Sequence, residues 1–398
     1  MTPEDANDIL ARVLAPMPLD TFFDEVIGQG VAKVGGDGSS YRAGLLGDDP
    51  ESRILEAYAH FAPKLGCHAL APLGPPPLVE PVADAAAFQA KIHAFHGRGY
   101  TVRIPGLRWA SSGLDAFCRA LEFVLHQPVG AEAFWSRGDA RAPVHHDDYD
   151  LIAIQLKGRK RWFISKDRSE LPNAWNGIPT HTGALRIERE QEIEVGPGDL
   201  LYLPRGTPHR VEALADSFHI SIGFVPLTVR EAIIAALDHF SDLERPLRVA
   251  VGHRLGAAVR RDDFKDLAAH VREGVAGLAA LSASDDFIAE AMQRRSSRVI
   301  AKLEKLPPAA YRPPISGEMR VRHSPLSMSH LSANAENIDF SHPGDHLYIH
   351  RGVEESVSFI AAKPDFRVRE VPGDFGDDVR FALVAKFLDS GFLEVAPD

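Results

Sequence analysis

Ala142-Pro143-Val144-His145-His146-Asp147-Asp148-Tyr149-Asp150 is answered, after strand-like sequence, by Pro197-Gly198-Asp199-Leu200-Leu201-Tyr202-Leu203-Pro204-Arg205-Gly206-Thr207-Pro208-His209. On a strand, side chains two residues apart point to the same side of the sheet, so the first stretch can present a histidine and a carboxylate together. A second histidine arriving from a distant strand would complete two imidazoles and one carboxylate on one face of a metal. Three coordination positions then stay open, the arrangement that non-haem Fe(II) oxygenases use to hold a cosubstrate and dioxygen. The first stretch is ambiguous in itself. His145 with Asp147 and His146 with Asp148 both fit, and a slip of one residue moves the pair to the other face. An isolated His-x-Asp is more often a solvated turn than a ligand pair; the second stretch tips the balance. There Gly198-Asp199 turns into a strand that Pro204, Gly206 and Pro208 interrupt just before His209, punctuation that re-aims a side chain at a barrel mouth.

Strand-like segments surround both stretches at residues 99–104, 132–135, 150–157, 161–165, 191–195, 199–203 and 218–225, with an amphipathic helix at 114–125. Short strands at this density, with Gly and Pro turns between them, predict an antiparallel barrel or sandwich. On the last strand His219, Ser221 and Gly223 alternate against Phe218, Ile220, Ile222 and Phe224. That face would look into the barrel, where His219 either supports the site or is a satisfied core histidine. His93 and His96 lack a carboxylate partner in their motif and read as structural or exposed. Trp162 reads as core packing.

The composition changes at Pro226. Thr228-Val229-Arg230-Glu231 is a capping box opening a helix to Phe240, and helical spacing returns over 262–281 and 284–306. Pro307-Pro308 and Pro313-Pro314 mark a linker. The remainder carries strand-like pieces at 347–350, 356–360 and 366–371, a helix at 377–388 and a final extended piece at 391–395, a small α+β module. Three domains are expected, over 1–227, 228–308 and 309–398. At 398 residues, 45% apolar and 25% charged, the chain is an ordinary globular protein. No apolar run approaches the ~20 residues of a membrane span. Met1-Thr2-Pro3-Glu4-Asp5 lacks the basic and apolar regions of a signal peptide and reads as a helix start capped by Thr2. Cys67 and Cys118 are too few for a disulfide framework, which favours a reducing cytoplasm. Earlier loops include Gly74-Pro75-Pro76-Pro77. The net charge of −11 disfavours polyanions as partners and suits a basic protein or peptide.

Pro143-x-His145-x-Asp147-x-x-Asp150, Gln155-Leu156-x-Gly158-Arg159-Lys160-Arg161-Trp162, Gly198-Asp199-Leu200-Leu201-Tyr202-x-Pro204-x-Gly206-x-x-His209 and Ser217-x-His219-x-Ser221-x-Gly223-Phe224 together resemble the JmjC ribosomal oxygenases and their bacterial cupin-like relatives. The resemblance is dense over roughly residues 99–226. It implies an α+β chain with a double-stranded β-helix (jelly-roll, cupin) core, then dimerisation helices and a winged-helix-like module. It selects His145 and Asp147 as metal ligands, with His209 the third. It also puts Lys160 where the family pairs a basic residue with the distal carboxylate of 2-oxoglutarate. Arg159-Lys160-Arg161 alone would read as a solvated charged strand, yet a dianionic cosubstrate does need a cation at the far end of its pocket. Where several relatives carry a supporting tyrosine hydroxyl, counting back from His145 lands on Ala133, so Ser136 or Ser221 is expected to replace it. Asp150 matches the family and is expected to line a substrate channel. His146 and Asp148 would face away from the metal.

The implied activity uses Fe(II), 2-oxoglutarate and O2 to hydroxylate an aliphatic carbon of a protein or peptide side chain, with succinate and CO2 as coproducts. A ribosomal protein is the leading substrate. Peptide natural products, small molecules and N-methyl-lysine are alternative targets of the same iron chemistry. A homodimer is expected from the apolar surface of the 228–306 helices. The alternative of another class is a non-enzymatic cupin-like binding or regulatory protein whose terminal module contacts nucleic acid. Asp374, Asp377, Asp378, Asp389 and Glu394 speak against that contact.

Overall fold

Two antiparallel sheets carry the first of two compact units, Met1–Pro226. The computed structural model describes residues 1–57, 66–70, 80–167, 171–172, 186–250, 263–307, 314–333 and 335–396. The Gly74-Pro75-Pro76-Pro77 loop, the linker prolines Pro308 and Pro313 and the side chain of Cys67 lie outside the described residues. In chain order the strands of this unit are β1 (Ala32–Val34), β2 (Gly66–Leu70), β3 (Glu80–Pro81), β4 (Thr101–Ile104), β5 (Val129–Ser136) and β6 (Arg141–His145). They continue with β7 (Asp150–Lys157), β8 (Lys160–Ser165), β9 (Glu190–Val195), β10 (Leu200–Leu203), β11 (His209–Ala213) and β12 (Ser217–Phe224). Eight form one sheet in the order β1-β10-β7-β12-β5-β4-β2-β3, and four form the other, β6-β11-β8-β9.

Period-two alternation decides what each face of the large sheet covers. On β7 and β10, Leu151, Ala153, Leu201 and Leu203 pack with Trp162, Ile164, Ile193 and Val195 of the small sheet. Ile152, Ile154, Leu200 and Tyr202 point the other way, into a core shared with Leu10, Phe117 and Leu121. The large sheet is therefore buried on both faces, which is why β7 reads as an unbroken apolar run. Its outer face is covered by the helices Pro3–Leu14 and Ser112–Leu125. The first starts in a capping box between Thr2 and Asp5, the second behind an Ser111 N-cap. Each fully buried Leu or Phe in this layer contributes about 1.5–3 kcal/mol. Arg42 is fully buried and ties the layer together, donating to the carbonyls of Val13 at 2.9 Å, Ala15 at 2.5 Å and Gly198 at 2.5 Å.

The second unit, Leu227–Asp398, holds two hydrophobic cores. One joins Ala236 and Phe240 of the helix Val229–Leu243 to Phe287 and Ala291 of the helix Asp285–Ile300. The capping box of Thr228 and Glu231 is formed, and a further helix spans Asp263–Leu281. The other core gathers Val321, Phe340, Ile360, Phe387 and Phe392. Around it lie β13 (Arg320–His323), β14 (His330–Ala333), β15 (Asn337–His342), β16 (Asp345–His350), β17 (Asp365–Arg367) and β18 (Leu393–Val395). They form the sheets β17-β13-β18 and β14-β15-β16.

Three sequence expectations need correction here. Residues 356–360 were expected as a strand but belong to the helix Glu354–Ala362. Glu354 and Glu355 suit its first turn, and Val357 and Ile360, three apart, bury on one side. The extended piece at 366–371 ends at Arg367 and continues as a 3-10 turn over Val368–Glu370. The helix expected to run to residue 306 stops at Ile300, after which the chain turns and buries Leu303 and Leu306.

Candidate metal centre

β6 and β11 are neighbours, and their register pairs His145 with His209. Both imidazoles therefore leave the small sheet on one face, with ring centroids 4.3 Å apart. β6 ends at His145, so Asp147 sits in the following loop and strand alternation does not place it. A backbone bond does: the Gly206 N–H donates to the Asp147 carbonyl at 2.8 Å. Gly206 makes this possible at φ +77°, a conformation that costs glycine little. His145, Asp147 and His209 each offer one ligand atom, and all three atoms lie within 4.8 Å of one another. Among the described residues no other group of His, Cys, Asp or Glu meets that distance.

The two histidines are prepared for a metal by their own backbone. Nδ1 of His145 donates to the Pro143 carbonyl at 2.8 Å, and Nδ1 of His209 to the Thr207 carbonyl at 2.9 Å. A carbonyl only accepts, so in each neutral ring the proton sits on Nδ1 and Nε2 keeps the lone pair. Two neutral imidazoles and one carboxylate fit a divalent transition-metal ion with open coordination positions. His146 turns away, with Nδ1 3.9 Å from the exposed Asp148. Of the two sequence alternatives, the fold brings together His145 and Asp147.

Deeper between the sheets is a second group. Lys160 starts β8 and is 2% exposed; its Nζ donates to Ser136 Oγ at 2.9 Å and to His219 Nδ1 at 2.7 Å. Ser136 and His219 come from β5 and β12, so the lysine reaches from the small sheet to the large one. Burial pushes the Lys160 ammonium down to about 7. Burial, and then the charge of Lys160, hold His219 well below the usual imidazole range, so it is neutral. His219 stacks on Phe134 at 4.9 Å, and the Trp162 ring lies between the two groups, 5.4 Å from His209 and 6.0 Å from His219.

Of the two serines expected beside Lys160, Ser136 is the one that bonds it, and the readings of Ala133 and Asp150 need correction. Ser221 faces the interior and lines a cavity of about 250 Å³ with Glu132, Tyr149 and Gly223. Ala133 points to the outer core, because alternation on β5 turns Phe134 and Ser136 inward, so a side chain at 133 does not face Lys160. Asp150 is fully buried and lines no channel: it accepts from the Tyr202 hydroxyl at 2.5 Å and from the Arg205 backbone N–H at 3.1 Å. Its role is to hold the turn that delivers His209. The sequence reading also passed over Tyr149, Glu132 and Arg103. Arg103 donates twice to the Glu132 carboxylate, at 2.8 and 2.5 Å. Burial, then the Asp147 and Glu132 carboxylates, push the Tyr149 phenol up, so it stays protonated. The one available signal was the proximity of Tyr149 to Asp147.

Residues 112–232 match the JmjC domain family. The chain is 29% identical over 192 residues to the Drosophila persimilis bifunctional lysine-specific demethylase and histidyl-hydroxylase NO66, a match covering 44% of this chain and 27% of that protein. It is 35% identical over 113 residues to ribosomal oxygenase 2 of Rattus norvegicus, covering 26% of this chain and 22% of that one. It thus spans about a quarter of the length of these curated relatives. The Escherichia coli ribosomal oxygenase YcfD in complex with cobalt and 2-oxoglutarate superposes with a TM-score of 0.53 at 16% identity, over 95% of this chain and 98% of YcfD. YcfD with cobalt and succinic acid gives 0.55 at 14% identity. At that identity the likeness is one of fold.

Proposed function

We propose that this chain, which carries a JmjC domain over residues 112–232, is an Fe(II)- and 2-oxoglutarate-dependent oxygenase hydroxylating an aliphatic carbon of a protein or peptide side chain. The observation that carries the reading is a His-Asp-His ligand set and a buried lysine that has no acidic partner among the described residues, inside one sandwich. Iron held by His145, Asp147 and His209 would supply the activation of dioxygen, with 2-oxoglutarate leaving as succinate and CO2. Lys160 binds the distal carboxylate of the cosubstrate, because a buried ammonium without a carboxylate beside it is incompletely compensated. Ser136 donates or accepts alongside it; its Oγ also meets Thr101 Oγ1 at 3.0 Å. Trp162, Ile164 and Leu203 close the space between the sheets to water.

The target side chain enters the cavity lined by Glu132, Tyr149 and Ser221. Tyr149 follows Asp147 by two residues, and its ring lies over β12 because Gly223 has no Cβ: one built there would meet the ring at 2.7 Å. Tyr149 and Ser221 offer hydroxyls to orient the substrate, and Glu132 offers a carboxylate already shared with Arg103. The favoured substrate is a basic ribosomal protein met in the cytoplasm. The net charge of −11 supports it, as do the names of the relatives. Among the described residues no helix is long and apolar enough to cross a membrane.

The helical region 228–308 is the dimerisation surface in this reading. Val229, Ile233 and Leu237 form a stripe of four-residue spacing on one helix and Val271 and Val275 on another, all five exposed. The terminal module, 309–398, acts as a scaffold. Its arginines are matched by acids, Arg320 with Asp365 and Arg322 with Glu394, which leaves little charge for phosphates.

The test is anaerobic titration of the metal-free protein with Fe(II) and 2-oxoglutarate, followed by the visible charge-transfer band. The band is expected in the wild type, absent in His209→Ala and weakened in Lys160→Met. No band in a folded wild type would refute the reading and return the chain to the class of binding proteins. Peptides from ribosomal proteins that gain the mass of one oxygen atom would then identify the substrate.

A further inference from the structure

Lys160 is a cation surrounded by neutral acceptors. Among the described residues no carboxylate lies within ion-pair distance of its Nζ; its partners are a serine hydroxyl at 2.9 Å and an imidazole nitrogen at 2.7 Å. An ammonium has three N–H donors and no acceptor. Ser136 and His219 take two, and the third is left to be aimed.

His219 is built to do the aiming. Because the ammonium can only donate, Nδ1 of His219 carries the lone pair and the ring proton sits on Nε2. The ring cannot swing: it stacks on Phe134 at an interplanar angle of 5°, and Trp162 meets it edge-on at 73°. The residue is buried, and its strand is held by β5 on one side and β7 on the other. A carboxylate at this position would also orient the lysine, but it would neutralise the charge that an incoming anion needs. A neutral imidazole orients and leaves the charge uncompensated.

We infer that His219 is a positioning residue for cosubstrate binding: its rigid Nδ1 takes one Lys160 proton and thereby presents another to the distal carboxylate of the dicarboxylate ligand. This rests on the reading of Lys160 as the cosubstrate's cation. It gives His219 a role that packing alone does not, since a phenyl ring would stack on Phe134 equally well. Asparagine could reproduce the acceptor, its amide oxygen taking the place of Nδ1.

The experiment is calorimetric titration of Mn(II)-loaded protein with 2-oxoglutarate and, separately, with pyruvate, which has the same 2-oxo acid group but no distal carboxylate. His219→Phe should bind 2-oxoglutarate about ten- to hundredfold more weakly, the range for one hydrogen bond to a charged group. His219→Asn should recover most of that loss, and pyruvate binding should be the same in all three proteins. If His219→Phe proves unfolded by circular dichroism, His219→Leu replaces it. Wild-type affinity in the Phe or Leu variant overturns the inference, as does an equal loss for both ligands or a failure of Asn to rescue. Lys160→Met separates the two levels. If it binds 2-oxoglutarate as the wild type does, the cosubstrate reading itself falls; if it loses 2-oxoglutarate while the His219 variants do not, only the positioning role falls.

Discussion

Raising the pH from 7 to 9 is expected to weaken 2-oxoglutarate binding about fiftyfold, through Lys160 alone. Burial holds this ammonium at about 7 in the folded protein, against an ordinary 10.5. The gap corresponds to about 5 kcal/mol of preference for the neutral amine. The cosubstrate carboxylate needs the charged form, whose share falls from about one half at pH 7 to about one hundredth at pH 9. At pH 8 the ligand-bound complex should take up close to one proton per site, measurable by calorimetry in buffers of different ionisation enthalpy. The same residue acts on folding with the opposite sign from a paired lysine. Its folded value lies below its unfolded one, so the cost is fully present below pH 7 and is relieved as the pH rises towards 10.5. Ligand-free Lys160→Met should therefore exceed the wild type in urea stability at pH 6, by up to about 5 kcal/mol, with the advantage shrinking by pH 9. A 2-oxoglutarate affinity flat from pH 7 to 9, with no proton uptake at pH 8, would refute the argument.

Asp150→Ala removes the acceptor of Tyr202 and Arg205 and should destabilise the protein by about 3 kcal/mol in urea. Because Arg205 precedes His209 in the same turn, competition with a metallochromic chelator should show metal affinity about 10- to 100-fold lower. Arg42→Met leaves the carbonyls of Val13, Ala15 and Gly198 without their donor, and about 3 kcal/mol or more should be lost from the urea midpoint. Ile233→Asp puts a charge in the middle of the exposed stripe on Val229–Leu243 and should convert a dimer to a monomer by light scattering; a wild-type monomer at micromolar concentration would end the dimer reading.

What could be read from sequence depended on whether a pattern had one physical cause. β7 was legible at both ends because burial on two faces gives a continuous apolar run with a turn on each side. β6 and β11 were not, since each is short and carries polar or charged residues along a partly exposed sheet. Ser356 to Ile360 mixes polar and apolar residues in a way that satisfies both periods over five positions. Only the acids before it and the burial of Val357 and Ile360 settle the helix. The ligand triad was legible as residue types, yet strand alternation left His145 with Asp147 and His146 with Asp148 both open, and the family resemblance made the choice. The fold places Asp147 by a loop and the Gly206 bond rather than by alternation.

Ala133 shows why the proposed anion site was harder to read than the metal ligands. Metal ligands announce themselves by type, so an error of one residue still leaves a histidine or an acid nearby. A pocket wall is defined by which face a residue takes, and on a strand one position exchanges the whole set. Placing Ala133 inside would have put Phe134 and Glu132 outside and left Lys160 with no stacked histidine beside it. In the fold, Ser217 pairs with Ser136 and His219 with Phe134 across β12 and β5, so the inward face presents the Ser136 hydroxyl and the His219 imidazole, itself stacked on the Phe134 ring, to one ammonium. None of these three types is diagnostic alone. Together they are what the proposed anion site requires: acceptors that fix the direction of a buried cation and, among the described residues, no carboxylate that cancels its charge.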